Sequence, residues 1–196
     1  MVNLIFLTAV KRALFVLCLV PLAWLLGRAW LHQLGSNPIE TITRFLGDWA
    51  LYFLLITLAI TPLRRLTGYK WLLPLRRMLG LFCFSYAVLH LSSYVVLDQF
   101  FEWREIFTDI IKRPYITIGM LSFLLLLPLA LTSTRKMQRR LGPHWVRLHR
   151  SIYFTSFFIL LHYNWMVKAD KTLPTLLALV LIVLLAVRLF PKNVLK

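Results

Sequence analysis

Apolar residues fall along this chain in long uninterrupted runs rather than at a helical or strand period. The runs lie near residues 13–31, 47–64, 78–97, 115–134, 149–168 and 172–189. A hydrocarbon core ~30 Å thick is crossed by about 20 apolar residues of α-helix at 1.5 Å per residue. The pattern therefore predicts six membrane spans, of which the second and sixth are short. The connections are brief and leave no room for an appended soluble domain. The expected fold is an all-α integral membrane protein, a six-helix transmembrane bundle forming one domain over residues 1–196.

Polar positions punctuate the runs. Pro21, Pro62 and Pro128 fall inside spans 1, 2 and 4, where neighbouring helices can re-satisfy the freed carbonyls. Asn37 or Ser36, just before Pro38, is placed to cap a short helix start ahead of span 2. Between spans 3 and 4, Phe100, Phe101, Trp103, Ile106, Phe107, Ile110 and Ile111 recur as in an amphipathic helix lying on the outer leaflet. Span 6 lacks an interior polar group, which predicts lipid-facing support. Lys11 and Arg12 precede span 1 as in a signal sequence, but no small-residue cleavage site follows, so the span is expected to be retained. No internal repeat is apparent.

Composition agrees: 60% of residues are hydrophobic and the mean hydropathy is +0.74. The formal charge of +16 invites comparison with nucleic-acid binders until the charges are sorted by side. With the N-terminus inside, Lys11, Arg12, Arg64, Arg65, Lys70, Arg76, Arg77, Arg135, Lys136, Arg139, Arg140, Arg147, Arg150, Arg188, Lys192 and Lys196 collect on one face without an acid. The other face takes Glu40, Asp48, Asp98, Glu102, Glu105, Asp109 and Asp170 with the remaining seven cations. That is the positive-inside distribution of a cytoplasmic membrane protein with both termini cytoplasmic. The basic balance answers to anionic membrane lipid, not nucleic acid. Cys18 and Cys83 lie inside apolar runs without a CxxC and read as small core hydrophobes.

Against this background three histidines stand out. His90 lies about thirteen residues into span 3, His162 lies in the outer half of span 5, and His149 lies at the mouth of span 5. Spans 3 and 5 run in the same direction, which brings His90 and His162 to similar depth. Two neutral imidazoles at matched depth suit bis-histidine haem ligation, with the iron six-coordinate and closed to oxygen. Zinc and a proton relay also use imidazole, although zinc wants a third ligand and a relay wants an intramembrane acid. A small transporter or channel with structural histidines is the rival from another class, as is a scaffold whose histidines only donate hydrogen bonds. An ideal helix would turn His149 and His162, thirteen residues apart, to different faces. A π-bulge or an unwound mouth at His149 would remove that conflict.

The words RRMLGLFCFSYAVLHLSSY, KRPYITIG, LTSTRKMQRRLGPHWVRLHRSIYF and HYNWMVK, in that order over spans 3 to 5, carry a resemblance. The chain resembles the MsrQ/YedZ family of haem-bearing membrane subunits, which serve the bacterial periplasmic methionine-sulfoxide reductase system. That family lies within the ferric-reductase-like transmembrane group, which also includes the NADPH oxidases. The resemblance implies a b-type haem protein in the inner membrane. Its partner would be a periplasmic molybdopterin-containing methionine-sulfoxide reductase, with FMN as a further cofactor. The quinone pool or a cytosolic flavin reductase would supply electrons.

His90, His149 and His162 fall on the family's histidine positions, haem ligation at His90 and His162 being the principal expectation. Two-haem members of the wider group carry another histidine where Arg76 or Arg77 stands here, so a second haem at His149 lacks an evident opposite ligand; His144, an arginine or a water are loose candidates, and the absence of a second haem is the further alternative. Arg76, Arg77, Arg147 and Arg150, at the cytoplasmic mouth, suit haem propionates or an FMN phosphate, while anchoring to lipid explains the same residues. No G-x-G-x-x-G is present, so electrons are expected from another molecule.

Overall fold

The computed structural model describes residues 4–189, in which helices are joined by short turns, without a strand among the described residues. The termini lie outside the described residues, as do Lys192 and Lys196 of the inner-face tally. The described chain forms two compact units that divide between Phe100 and Phe101.

The first unit begins with α1 (Leu4–Trp30), apolar on nearly every side. Phe15, Val16, Leu17 and Val20 are all at least half exposed, which only a hydrocarbon solvent tolerates at this density. Pro21 withdraws one backbone donor from α1. A tyrosine from another helix repairs the ladder beside it: the Tyr86 hydroxyl donates to the Cys18 carbonyl at 2.9 Å and accepts from the Leu22 N–H at 3.2 Å. Tyr86 is 1% exposed, so no solvent would serve in its place.

Helix α2 (Pro38–Thr67) is longer than the second apolar run and continuous with the short helix expected before it. Asn37 caps it by accepting from the Glu40 N–H at 3.2 Å, and Pro38 occupies the first turn. The Glu40–Arg44 ion pair then carries the helix through its polar stretch. It ends at Gly68, whose φ of 74° supplies the left-handed cap and whose N–H bonds the Arg64 carbonyl. A 3₁₀ turn at Lys70–Leu72 leads into α3 (Leu73–Ser93), which runs on as one π-helical turn over Tyr94–Asp98. Phe53 of α2 lies against Phe82 and Tyr86 of α3 with ring centroids 5.9 and 5.1 Å apart. Cys18 and Cys83 are free and buried, as small core hydrophobes should be.

The second unit opens with α4 (Trp103–Lys112), which is amphipathic as its pattern predicts: Ile106 is buried while Trp103, Phe107 and Ile111 are exposed. Phe100 and Phe101, immediately before it, both hold positive φ, 45° and 63°. Helix α5 (Pro114–Leu131) packs on α8 (Ile152–Met166), and the side chains of Ser122, Thr155 and Ser156 are buried in this unit. Small residues of this kind let membrane helices approach closely. Two short helices, α6 (Arg135–Leu141) and α7 (Pro143–Arg150), replace the expected loop and the start of span 5. They separate at Gly142, where φ is 51°. The last helix, α9 (Thr172–Leu189), buries Leu177 and Leu181 and leaves Leu176, Leu179, Ile182 and Val183 exposed, in keeping with support facing lipid.

Four helical stretches among the described residues are long and apolar enough to cross a membrane: Leu4–Trp30, Pro38–Thr67, Lys70–Asp98 and Pro114–Leu131. The fifth expected span is divided. A turn at Ser151 ends α7 and starts α8, which is left with 15 residues. The sixth, α9, has 18.

A pair of matched histidine seats

His90 stands on α3 beside the first turns of α2. Its Nδ1 lies 2.8 Å from the carbonyl oxygen of Thr43. A carbonyl only accepts, so Nδ1 carries the proton and the lone pair belongs to Nε2. The reason the ring reaches that oxygen is four residues further along α2. In a helix the carbonyl of residue 43 points at the N–H of residue 47, and a side chain there would cover its second lone pair. Residue 47 is glycine. A methyl built on it would meet Nδ1 of His90 at 3.0 Å and Cε1 at 3.1 Å. Buried Ser93 completes the seat: its hydroxyl donates to the His90 carbonyl at 2.8 Å and lies 3.0 Å from the Thr43 hydroxyl, which can donate to it.

The second unit repeats this arrangement. The Nδ1 of His162, on α8, donates to the carbonyl of Tyr115, on α5, at 2.7 Å. Four residues beyond Tyr115 is Gly119, where an added methyl would meet Nδ1 and Cε1 of His162 at 2.8 Å. In both units the accepting carbonyl lies 47 residues before its histidine. Both imidazoles are thus presented in one tautomer with the ring plane fixed. This is how proteins prepare a histidine for a metal: the outer nitrogen is tied to a carbonyl, which orients the ring and raises the basicity of the other nitrogen.

His149 is held differently. It lies on α7, cut off from α8 by the turn at Ser151, so the mouth of span 5 is interrupted just after His149. Its Nδ1 donates to the Trp145 carbonyl one turn earlier at 3.1 Å, and the Trp145 indole stacks on the ring at 3.8 Å. The indole N–H is anchored in turn on the Thr132 carbonyl at 3.0 Å. Arg147, Arg150 and His144 are exposed on the same short helix, while on α3 Arg77 is exposed and Arg76 half-buried. Arg188 of α9 bonds the Tyr153 hydroxyl at 2.7 Å and lies over its ring, so the end of the last span does carry a polar contact.

Thr43, Gly47, Tyr115, Gly119 and Trp145 were not among the expected site residues. A carbonyl leaves no mark on a sequence. A lone glycine inside an apolar helix does, since it costs about 1 kcal/mol against alanine and asks for a packing reason.

The ferric reductase like transmembrane component family matches residues 46–162, a segment that runs from just before Gly47 to His162. A protein-methionine-sulfoxide reductase heme-binding subunit MsrQ from Rhodospirillum rubrum is 55% identical over 92% of this chain and 88% of its own length. The protein of the same name from Herminiimonas arsenicoxydans is 50% identical over 94% and 86%, and that from Caulobacter vibrioides 44% over 93% and 88%. No solved structure matches the chain. With identity this high over nearly the full length, the chain belongs to the MsrQ family, within the ferric-reductase-like transmembrane proteins.

Proposed function

We propose that this chain is a b-type haem electron carrier of the bacterial inner membrane. In this reading it takes electrons from quinol or a cytosolic flavin reductase. It passes them to a periplasmic molybdopterin-containing methionine-sulfoxide reductase. The observation that carries the reading is the identical preparation of His90 and His162, each with Nδ1–H given to a backbone carbonyl. The donor set fits haem: two neutral imidazoles, one on α3 and one on α8, with Nε2 as the ligating atom of each. Haem supplies one-electron chemistry when bound, and the protein supplies orientation, burial and tuning of the potential. The names of the relatives, which describe heme-binding subunits of protein-methionine-sulfoxide reductase, support the same reading.

The remaining parts of the proposal follow from it. The domain is one six-span bundle with its haem between spans 3 and 5, α8 and α9 serving as spans 5 and 6. Both termini face the cytoplasm, as the charge asymmetry supports. The reading rests on one haem, at His90 and His162; His149 is the candidate ligand should a second be bound, and Arg76, Arg77 and Arg147 are the candidates for propionates or an FMN phosphate, where guanidinium grips anions well. Dithionite-reduced minus oxidised spectra of the purified full chain test the core of the proposal. Bands of a low-spin b-type haem are expected, and His90→Ala and His162→Ala should each abolish them. An unchanged spectrum in both variants would remove the ligation.

A further inference from the structure

Gly47 and Gly119 are more than permissive gaps. The carbonyl each imidazole uses is already committed along its own helix, and only its second lone pair remains to be reached. That approach crosses the position where residue i+4 would carry a Cβ. At Gly119 an added methyl would stand 2.8 Å from two ring atoms of His162, closer than side-chain carbons come. The ring has little freedom to retreat, because its Nδ1 is fixed on Tyr115. At Gly47 the contact is 3.0 Å, tight but within reach of a small shift of His90. Gly80 offers the contrast: a methyl there meets only Thr57 Cγ2 at an ordinary 3.7 Å.

We propose that Gly47 and Gly119 are positioning residues that set the tautomer and ring plane of His90 and His162, with Gly119 the more stringent of the two. The proposal deepens the haem reading and rests on it for its redox consequence. Losing the Nδ1–H bond makes the imidazole a poorer donor through Nε2. The oxidised iron is then less stabilised and the midpoint potential rises.

The test uses full-length protein in detergent. In the haem-loaded chain, Gly119→Ala should weaken haem retention by on the order of 10–100-fold, the range typical of a lost outer hydrogen bond to a metal-ligating histidine. It should also raise the midpoint potential. Gly47→Ala should act in the same direction to a smaller extent, and Gly80→Ala should change neither quantity. Retention and potential both unaltered in Gly119→Ala would overturn the proposal.

A second measurement needs no haem. In the apo-protein, Gly119→Ala should lower the unfolding temperature when His162 is present. In a His162→Ala background it should leave that temperature unchanged or raise it, since alanine is the better helix former. Equal lowering in both backgrounds overturns the seat. A wild-type chain that binds no haem overturns the proposed function instead, and the apo comparison still decides the role of the glycine.

Discussion

Nδ1 of His162 donates to the carbonyl oxygen of Tyr115 across 2.7 Å, tying α8 to the first turn of α5. The histidine therefore has a structural duty separable from ligation. Asparagine carries an amide nitrogen where Nδ1 stands, attached likewise to Cγ. His162→Asn should retain the link to Tyr115 and His162→Ala should lose it. Thermal unfolding of the apo-proteins should favour the asparagine variant by about 1 kcal/mol, the usual net value of one such bond. Both variants should lack the low-spin spectrum.

Tyr86 spans the weak point of α1. Replacing it with phenylalanine strips a hydroxyl that serves both the Cys18 carbonyl and the Leu22 N–H in a buried setting. Tyr86→Phe should cost about 1–3 kcal/mol, the penalty for leaving buried backbone groups unsatisfied. Denaturant unfolding in detergent measures it. The haem spectrum of material that remains folded should be unaltered.

Asn37 starts the helix that carries the His90 seat. Asn37→Ala removes the side-chain acceptor of the Glu40 N–H and should cost about 1 kcal/mol, whereas Asn37→Gly should cost only a few tenths. Hydrogen exchange at Glu40 and Thr41 should quicken in the alanine variant. Exchange near Gly68, at the far end of α2, should not change.

The two faces of α4 should answer differently to truncation. Ile106 is 4% exposed and Ile111 is 81% exposed. Ile106→Ala should destabilise by about 2–5 kcal/mol, the range for emptying a core position. Ile111→Ala in detergent should stay within about 0.5 kcal/mol, as exposed substitutions do. Equal losses at the two sites would mean that α4 does not bury Ile106.

The helical class was legible because hydrocarbon thickness fixes how long an apolar run must be. The N-terminal part of α2 was legible as a capped helix start, but not as one helix with span 2. Glu40, Arg44 and Asp48 end the apolar run, and hydropathy cannot tell a polar helix from a polar loop. The division of span 5 was hinted at only by the face conflict between His149 and His162; its place was not visible, since Ser151 is a weak breaker in sequence. The histidines announced themselves because imidazole is costly in hydrocarbon. What seats them did not: the oxygens of Thr43 and Tyr115 are backbone, and backbone is common to every residue. Gly47 and Gly119 were the readable trace, with the same distance to His90 and to His162, although no repeat was evident in the surrounding residues.

The placement of the seats along their helices has a consequence for transfer. Thr43 is the sixth residue of α2 and Tyr115 the second of α5, so both lie within about 9 Å of the ends that the charge asymmetry assigns to the outside. From Gly47 the rest of α2 continues for roughly 30 Å towards the opposite face. In the proposed function, an acceptor outside would therefore have a short final hop and a donor inside would face most of the bilayer's thickness. On that reading, the inner leg and not the outer one is where a further carrier would be needed.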